Sequence, residues 1–210
     1  MPLAEGSTLT KASLWGGEVQ LVCPRDHSEL LVIGSELVCP HGHQYRTAAG
    51  VPIMLTDTPP THWGCIRGLD PSEIEGDLIR DREYDSQNAA IDPVVNAAQV
   101  GSSGNLYRSL VGNLPRYPIP DLRLPEGEGR LFVDLGCHWG RWSIAAARKG
   151  YRAIGVDPNL RAVLAARRVA RQMGIAVEFI VGDGRHLPFS RASIDRVFSY
   201  SVLQHFTPRT

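Results

Sequence analysis

The segment Leu131–Pro158, reading LFVDLGCHWGRWSIAAARKGYRAIGVDP, constrains the fold of this chain more than any other. An apolar run ends in Asp134, a turn containing Gly136 and Gly140 opens a helical stretch, and a second apolar run ends in Asp157. Strand, turn, helix and strand in that order read as two parallel strands joined by a crossover. Neither glycine carries a Cβ, so the backbone of the turn can approach a ligand closely. An acid at the tip of the second strand can accept hydrogen bonds from two ribose hydroxyls. The arrangement suits a nucleoside ligand.

The alternation continues on both sides of this segment. It predicts strands over 130–135, 152–157, 176–181 and 194–200, with helices over 139–149 and 159–173. The first helix is expected to bury Trp142, Ile144 and Ala145 and to stop at Gly150. The second turns Leu160, Val163 and Leu164 to the sheet, with Pro158 suited to its first turn. Such a pattern predicts an α/β fold with a parallel sheet.

A dinucleotide site would need G-x-G-x-x-G to bring a pyrophosphate onto the helix N-terminus. Here Cys137, His138 and Trp139 separate the two glycines, and a carboxylate, Asp134, precedes them. A carboxylate repels pyrophosphate and attracts a cation, so the sign suits the ammonium and sulfonium of S-adenosylmethionine. The stretch Asp134-Leu135-Gly136-Cys137-His138-Trp139-Gly140 resembles motif I, D-x-G-C-G-x-G, of the class I S-adenosylmethionine-dependent methyltransferases, with His138 at the middle glycine. Val181–Phe189 resembles the family's loop after its third strand, and Ser193–Ser201 its fourth strand and tip.

The resemblance implies a Rossmann-like parallel sheet of which this chain supplies about four strands of seven. It implies that Asp134 and the turn from Gly136 through Cys137 and His138 to Gly140 hold the methionine part of the cofactor. It further implies that Asp157, with Pro158 beside it, binds the ribose, that Asp183 with Gly184 binds the adenine, and that Ser199 lies near the methyl group. No catalytic base is assigned. The fourth strand would form an open edge, available to a partner or a second copy, and a fragment of a longer protein is the favoured reading. The expected function is methyl transfer to an acceptor, with a small molecule favoured. RNA methylation and a non-catalytic cofactor-binding or partner-binding module are the alternatives.

The N-terminal part reads differently. Residues 1–18 are expected to be a tail, 19–55 a compact β-rich module, 56–95 a linker or lid, and 96–210 the cofactor-binding domain. Cys-Pro-x-x-His occurs twice, at Cys23 to His27 and at Cys39 to His43, on a predicted hairpin. Zinc takes four sulfur or nitrogen ligands, and paired knuckles supply two each, so Cys23, His27, Cys39 and His43 form one candidate set. The stretch also resembles the zinc-binding domain of the large-subunit rRNA guanine methyltransferases, in which Asp26 stands at a cysteine position. Gly50–Leu55 resembles the G-I-P-V-M-L ending of the small zinc-ribbon partner proteins of methyltransferases. Zinc with His27, zinc with Asp26 and a metal-free zinc-ribbon-like module all stay open. Cys65 has no evident partner, and a helix is predicted over 105–111.

Charge is divided unevenly along the chain. Residues 1–95 carry six Lys and Arg against fourteen Asp and Glu, and residues 96–210 carry sixteen against eight, so a net charge of zero conceals −8 and +8. The halves can attract each other, or the basic half can meet an anionic substrate such as nucleic acid. For Arg161, Arg168 and Arg171 the favoured expectation is a solvated helix face. The N-terminal sixty residues carry three cations and six acids, which disfavours an RNA-reading role for the module. No membrane span or secretory signal is recognisable, so a cytoplasmic location is expected.

Overall fold

The computed structural model describes residues 10–57, 70–103, 109–110 and 112–206. Cys65 and most of the segment expected as a helix over 105–111 lie outside them. Seven short strands come first: β1 (Thr10–Lys11), β2 (Ser13–Leu14), β3 (Val19–Gln20), β4 (Leu31–Ile33), β5 (Glu36–Val38), β6 (Gln44–Ala48) and β7 (Val51–Met54). Two helices follow, α1 (Pro71–Gln87) and α2 (Pro93–Ser103). The alternating part is β8 (Leu131–Leu135), α3 (Arg141–Arg148), β9 (Arg152–Asp157), α4 (Leu160–Gln172), β10 (Glu178–Gly182) and β11 (Arg196–Ser199). The segment expected as a tail thus contributes β1 and β2 and buries Ala12 and Leu14.

Nine strands form one sheet in the order β1-β4-β5-β6-β7-β10-β9-β8-β11. The neighbours from β7 to β11 are parallel and those from β1 to β7 are antiparallel. The chain moves from β8 outward to β9 and β10 and then returns to place β11 on the opposite side of β8. In such a sheet the ligand crevice lies outside the carboxyl ends of the strands where the direction reverses, here β8 and β11.

Side chains on a strand alternate between faces, and the parallel strands bury both. Phe132, Ala153, Phe179 and Val181 lie among the apolar residues of α3 and α4, including Ile144, Leu160 and Val163. Leu131, Val133, Leu135, Ile154, Val156 and Ile180 face the other way. They form one buried cluster with Leu14, Val19, Leu21, Cys23, Leu30, Leu37, Tyr45 and Phe189. The N-terminal strands and the 183–195 connection therefore cover one face of the parallel sheet, and no α-helix is found in that connection. The cysteine-bearing segment joins the core of the sheet, where the sequence suggested a separate unit.

The acidic stretch is also docked. Asp70 caps α1 by accepting a hydrogen bond from the Ser72 amide (2.7 Å), with Pro71 in the first turn, where its missing N–H costs nothing. Few apolar residues line this helix, and it meets α4 mainly through charge. Arg161 pairs with Asp77 (3.3 Å), Arg167 with Asp81 (3.3 Å) and Arg171 with Asp85. Arg168 is only 6% exposed and is held between Asp81 and Asp92, with 2.7 Å to the latter. The expectation of a solvated arginine face is corrected: the opposite charges of the two halves meet across α1 and α4. Trp142, expected to be buried, is half-buried: it packs at the margin of the core that holds Phe132 and Ala145, against Phe198 and Tyr200.

Candidate functional site

The turn after β8 is shaped by three left-handed residues. Gly136, His138 and Gly140 have φ of 72°, 49° and 81°. The Gly136 and Cys137 amides both donate to the Val156 carbonyl, at 2.8 and 3.1 Å, which fastens the turn to β9. A Cβ at Gly136 would stand 2.2 Å from Val202 Cγ2, so the segment after β11 closes directly onto this glycine. At Gly140 a Cβ would meet Ala166 at 3.0 Å and Phe179 at 3.1 Å, so its absence lets α3 begin against α4 and β10. His138 adopts the left-handed region at a cost of about 1 kcal/mol. Its amide donates to Asp157 Oδ2 at 2.9 Å, which offsets part of that cost.

Three acids end three consecutive strands. Asp134 in β8 and Asp157 in β9 belong to neighbouring strands, and Asp157 is paired in register with Val181 of β10, two residues before Asp183. Asp134, expected to help hold the methionine part, is buried behind the turn. It is 1% exposed and accepts a hydrogen bond from Ser143 Oγ at 2.7 Å, beneath the first turn of α3. Burial pushes its carboxyl up to about 7, with Asp157 adding to the rise and Ser143 opposing it. Asp157 accepts one backbone amide on each oxygen, His138 on Oδ2 and Asn159 on Oδ1, both at 2.9 Å. Burial raises its pKa against these bonds and the neighbouring His138. Each oxygen keeps a further lone pair, so two hydroxyls can still be received.

Asp183 is more fully engaged. Its carboxylate accepts from the Arg185 amide and Nε at 2.9 Å and pairs with the guanidinium Nη2. Burial works against ionisation here, but the bonds and charge of Arg185 hold the carboxyl below its usual range. Asp183 therefore has no oxygen left for an adenine amine while Arg185 stays in place. Gly184 lies beside Phe206 and Leu135, Pro158 follows the β9 tip, and Ser199 ends β11 in an exposed position. The Cys137 thiol points inward against Gly155 and is pushed well up by burial, so only the backbone of this residue faces the turn.

A second cluster sits in the N-terminal strands. Ligand atoms of Cys23, Asp26, Cys39 and His43 all lie within 4.8 Å of one another. His43 Nδ1 is 3.4 Å from the Cys23 sulfur, 3.3 Å from that of Cys39 and 3.2 Å from Asp26 Oδ2. His27 is exposed, with φ of 60°, and stands outside this group. The backbone turn after Cys23 brings Asp26, the alternative to His27 in the sequence, to the cluster and leaves His27 outside it. His41 contacts Asp26 Oδ2 at 2.9 Å from outside, and Ser28 holds Oδ1 through its amide (2.9 Å) and hydroxyl (2.6 Å). These Ser28 bonds hold the Asp26 carboxyl well below its ordinary range. Burial raises the Cys23 thiol, whose sulfur touches Tyr45 Oη at 3.1 Å. Burial also opposes ionisation of Cys39, but hydrogen bonds from Ser28 and the His43 and His41 amides bring that thiol below its usual value.

Sequence reasoning missed Ser143, Arg185, Tyr45 and Val202. Arg185 stands two residues from Asp183 and Tyr45 two from His43, so proximity offered a signal for both. Ser143 and Val202 reach the turn only through the helix register of α3 and the return of the chain after β11.

With that geometry in place, comparison with known proteins shows what the C-terminal part is similar to. Residues 132–210 match the family model described as a methyltransferase domain. The sheet order makes β8 to β11 a partial Rossmann-like fold, and this match makes that part of the chain similar to a methyltransferase domain. Particular relatives are similar over part of the chain. The ubiquinone biosynthesis O-methyltransferase of Methylocella silvestris is 32% identical over 78 residues, which are 37% of this chain and 30% of that protein. The protein of the same name from Azorhizobium caulinodans is 28% identical over 147 residues, 65% of this chain and 53% of its own. The chain thus spans between about a third and a half of the length of the curated relatives it matches. Among solved structures, a Pyrococcus horikoshii protein is 35% identical over 33% of this chain and 32% of its own, with a TM-score of 0.32. Magnesium protoporphyrin IX methyltransferase from Synechocystis, solved with bound S-adenosylmethionine, is 23% identical over 67% of this chain and 54% of its own, with a TM-score of 0.35.

Proposed function

We propose that this chain binds S-adenosylmethionine in the crevice at the carboxyl ends of β8 and β11 and transfers its methyl group to a small-molecule acceptor. The observation that carries the reading is Asp157. It is a buried carboxylate at the β9 tip, oriented by two backbone amides, beside a left-handed glycine turn in a segment matching a methyltransferase domain. In this reading Asp157 and Pro158 hold the ribose, and the backbone of Gly136, Cys137, His138 and Gly140 receives the methionine part. Asp134 lies beneath that turn, where a cation above it favours its ionised form. Gly184 and Asp183 meet the adenine once the Arg185 side chain moves aside, and Ser199 faces the methyl group. The curated relatives are named for ubiquinone biosynthesis, which supports a small acceptor.

S-adenosylmethionine supplies an activated methyl group on a sulfonium. The protein's part is to orient that group against the acceptor and to exclude water, which is worth several kcal/mol of the barrier. Calorimetric titration with S-adenosylhomocysteine tests the site. Saturable binding that falls to background in Asp157→Ala, with far-UV circular dichroism retained, is the expected result. Equal affinity in the variant removes the ribose assignment.

The reading extends to zinc at Cys23, Asp26, Cys39 and His43. The four donors fit, because a tetrahedron with bonds of about 2.0–2.3 Å has edges of about 3.3–3.8 Å, close to the contacts seen here. Zinc would hold both thiols deprotonated and fasten the strand ends together. One equivalent of zinc by elemental analysis, lost in Cys39→Ser, is expected. We also assign the open β11 edge, where Val197 is 60% exposed, to pairing with another strand, which sedimentation of the protein and of Val197→Lys would test. Among the described residues no helix is long and apolar enough to cross a membrane.

A further inference from the structure

The proposed zinc cluster and the proposed adenosine crevice are joined through one short piece of chain. Cys23 ends the segment 21–23, and that segment is paired to the end of the loop that begins at Asp183. Leu21 forms an antiparallel bridge with Phe189, and the Val22 amide donates to the Pro188 carbonyl at 3.0 Å. The start of the same loop is held from the other side. β7 runs parallel to β10, with Ile53 opposite Val181 and Met54 opposite Gly182. Just past β7, Asp57 pairs at 2.8 Å with Arg25, two residues beyond Cys23. No α-helix occurs between β10 and β11, so residues 183–189 take their support from these N-terminal contacts and from packing against Leu135 and Phe206.

We infer that the Cys23–Asp26–Cys39–His43 cluster is the positioning anchor of the Asp183 loop, so that metal occupancy sets the affinity of the crevice for its adenosine ligand. The inference rests on both the zinc and the cofactor readings given above. Zinc fixes Cys23 against the turn at residues 39–43. That restricts segment 21–23 to the geometry in which Val22 and Leu21 meet Pro188 and Phe189. Without the ion, residues 23–28 keep their local bonds, such as His27 N to the Cys23 carbonyl (2.8 Å) and Cys23 N to the Ser28 carbonyl (2.9 Å), the Arg25–Asp57 pair and the packing of Cys23 in the core, but lose the direct tie from Cys23 to the turn at 39–43. The far end of the loop is then less firmly placed, while β8 and β9 keep their own ladder.

The test uses the full chain, loaded with one equivalent of zinc or stripped by chelator. S-adenosylhomocysteine is expected to bind about tenfold more tightly to the zinc form, within the usual range of coupling between sites. Reciprocity is a stricter demand: saturating S-adenosylhomocysteine must tighten zinc binding, measured by competition with a chromophoric chelator, by the same factor. Amide hydrogen exchange should speed up at 183–189 on stripping and stay unchanged at 131–135 and 152–157. Val22→Pro removes the donor to Pro188 while leaving the four ligands untouched. It should retain zinc and lose the zinc dependence of S-adenosylhomocysteine affinity. If Val22→Pro does not fold, Asp26→Asn serves in its place. It should raise the zinc concentration at which S-adenosylhomocysteine affinity increases. A chain that binds both ligands independently overturns this inference alone. A chain that binds no zinc overturns it through the metal reading, and one that binds no S-adenosylhomocysteine overturns it through the cofactor reading.

Discussion

Asp134 offers a quantitative test, because its burial converts into a pH-dependent stability with a definite sign. The carboxyl moves from an unfolded reference of 3.8 to about 7 in the folded chain. The native state therefore holds a proton that the unfolded state has released, and stability from this group is present below about pH 4 and lost as pH rises toward 7. A rise of about 3 units corresponds to ~4 kcal/mol lost by pH 8, of which ~1.5 kcal/mol has gone by pH 5. Asp134→Asn removes the titration. It keeps an acceptor for the Ser143 hydroxyl but buries an amide N–H₂ with no assigned partner, at about 2 kcal/mol. The two effects predict crossing curves. The variant should be less stable than the parent by ~1.5 kcal/mol at pH 4, about equal near pH 5, and more stable by ~2 kcal/mol at pH 8. Urea unfolding followed by tryptophan fluorescence at several pH values reads this directly. Asp157 is also raised and adds to the rise at Asp134, so the difference between the curves reports Asp134 together with its interaction with Asp157. Parallel curves from pH 4 to pH 8 would refute the reasoning.

Three further outcomes follow from the packing. Arg168→Met leaves the buried Asp92 without its cation and Asp81 with Arg167 alone, and should cost ~3–5 kcal/mol, seen as a lower urea midpoint and earlier proteolysis within α1. Gly136→Ala forces a Cβ into Val202 at a positive φ, so the turn must shift. A loss of ~2 kcal/mol together with weakened S-adenosylhomocysteine binding is expected, and a fully stable, fully binding variant would contradict the close approach. Phe189→Ala empties a buried position between the N-terminal strands and the sheet. It should cost ~3–4 kcal/mol by chemical denaturation, whereas an effect below 1 kcal/mol would mean that the two parts do not share a core.

The alternating half was legible because its signals are local. Apolar runs of strand length, Gly136 and Gly140 at the turn and Asp157 at a strand end each follow from a few adjacent residues, and the observed strands and helices fall within about two residues of the expected ones. The paired Cys-Pro-x-x-His repeats announced a cluster for the same reason. They left the fourth residue open, because the choice between Asp26 and His27 depends on a backbone turn that sequence spacing does not encode.

By itself the sequence determined which segments alternate, where the glycine turn and its acids lie, and that charge is split between the halves. Tertiary structure decided what those features face. It placed Asp134 under the turn, tied Asp183 to Arg185, laid the acidic α1 on the arginines of α4, and set the N-terminal strands over one face of the sheet. Each of these is a contact between residues distant along the chain, or a side-chain direction fixed by packing. Such energies depend on which surfaces meet, and that information is present only once the chain has folded.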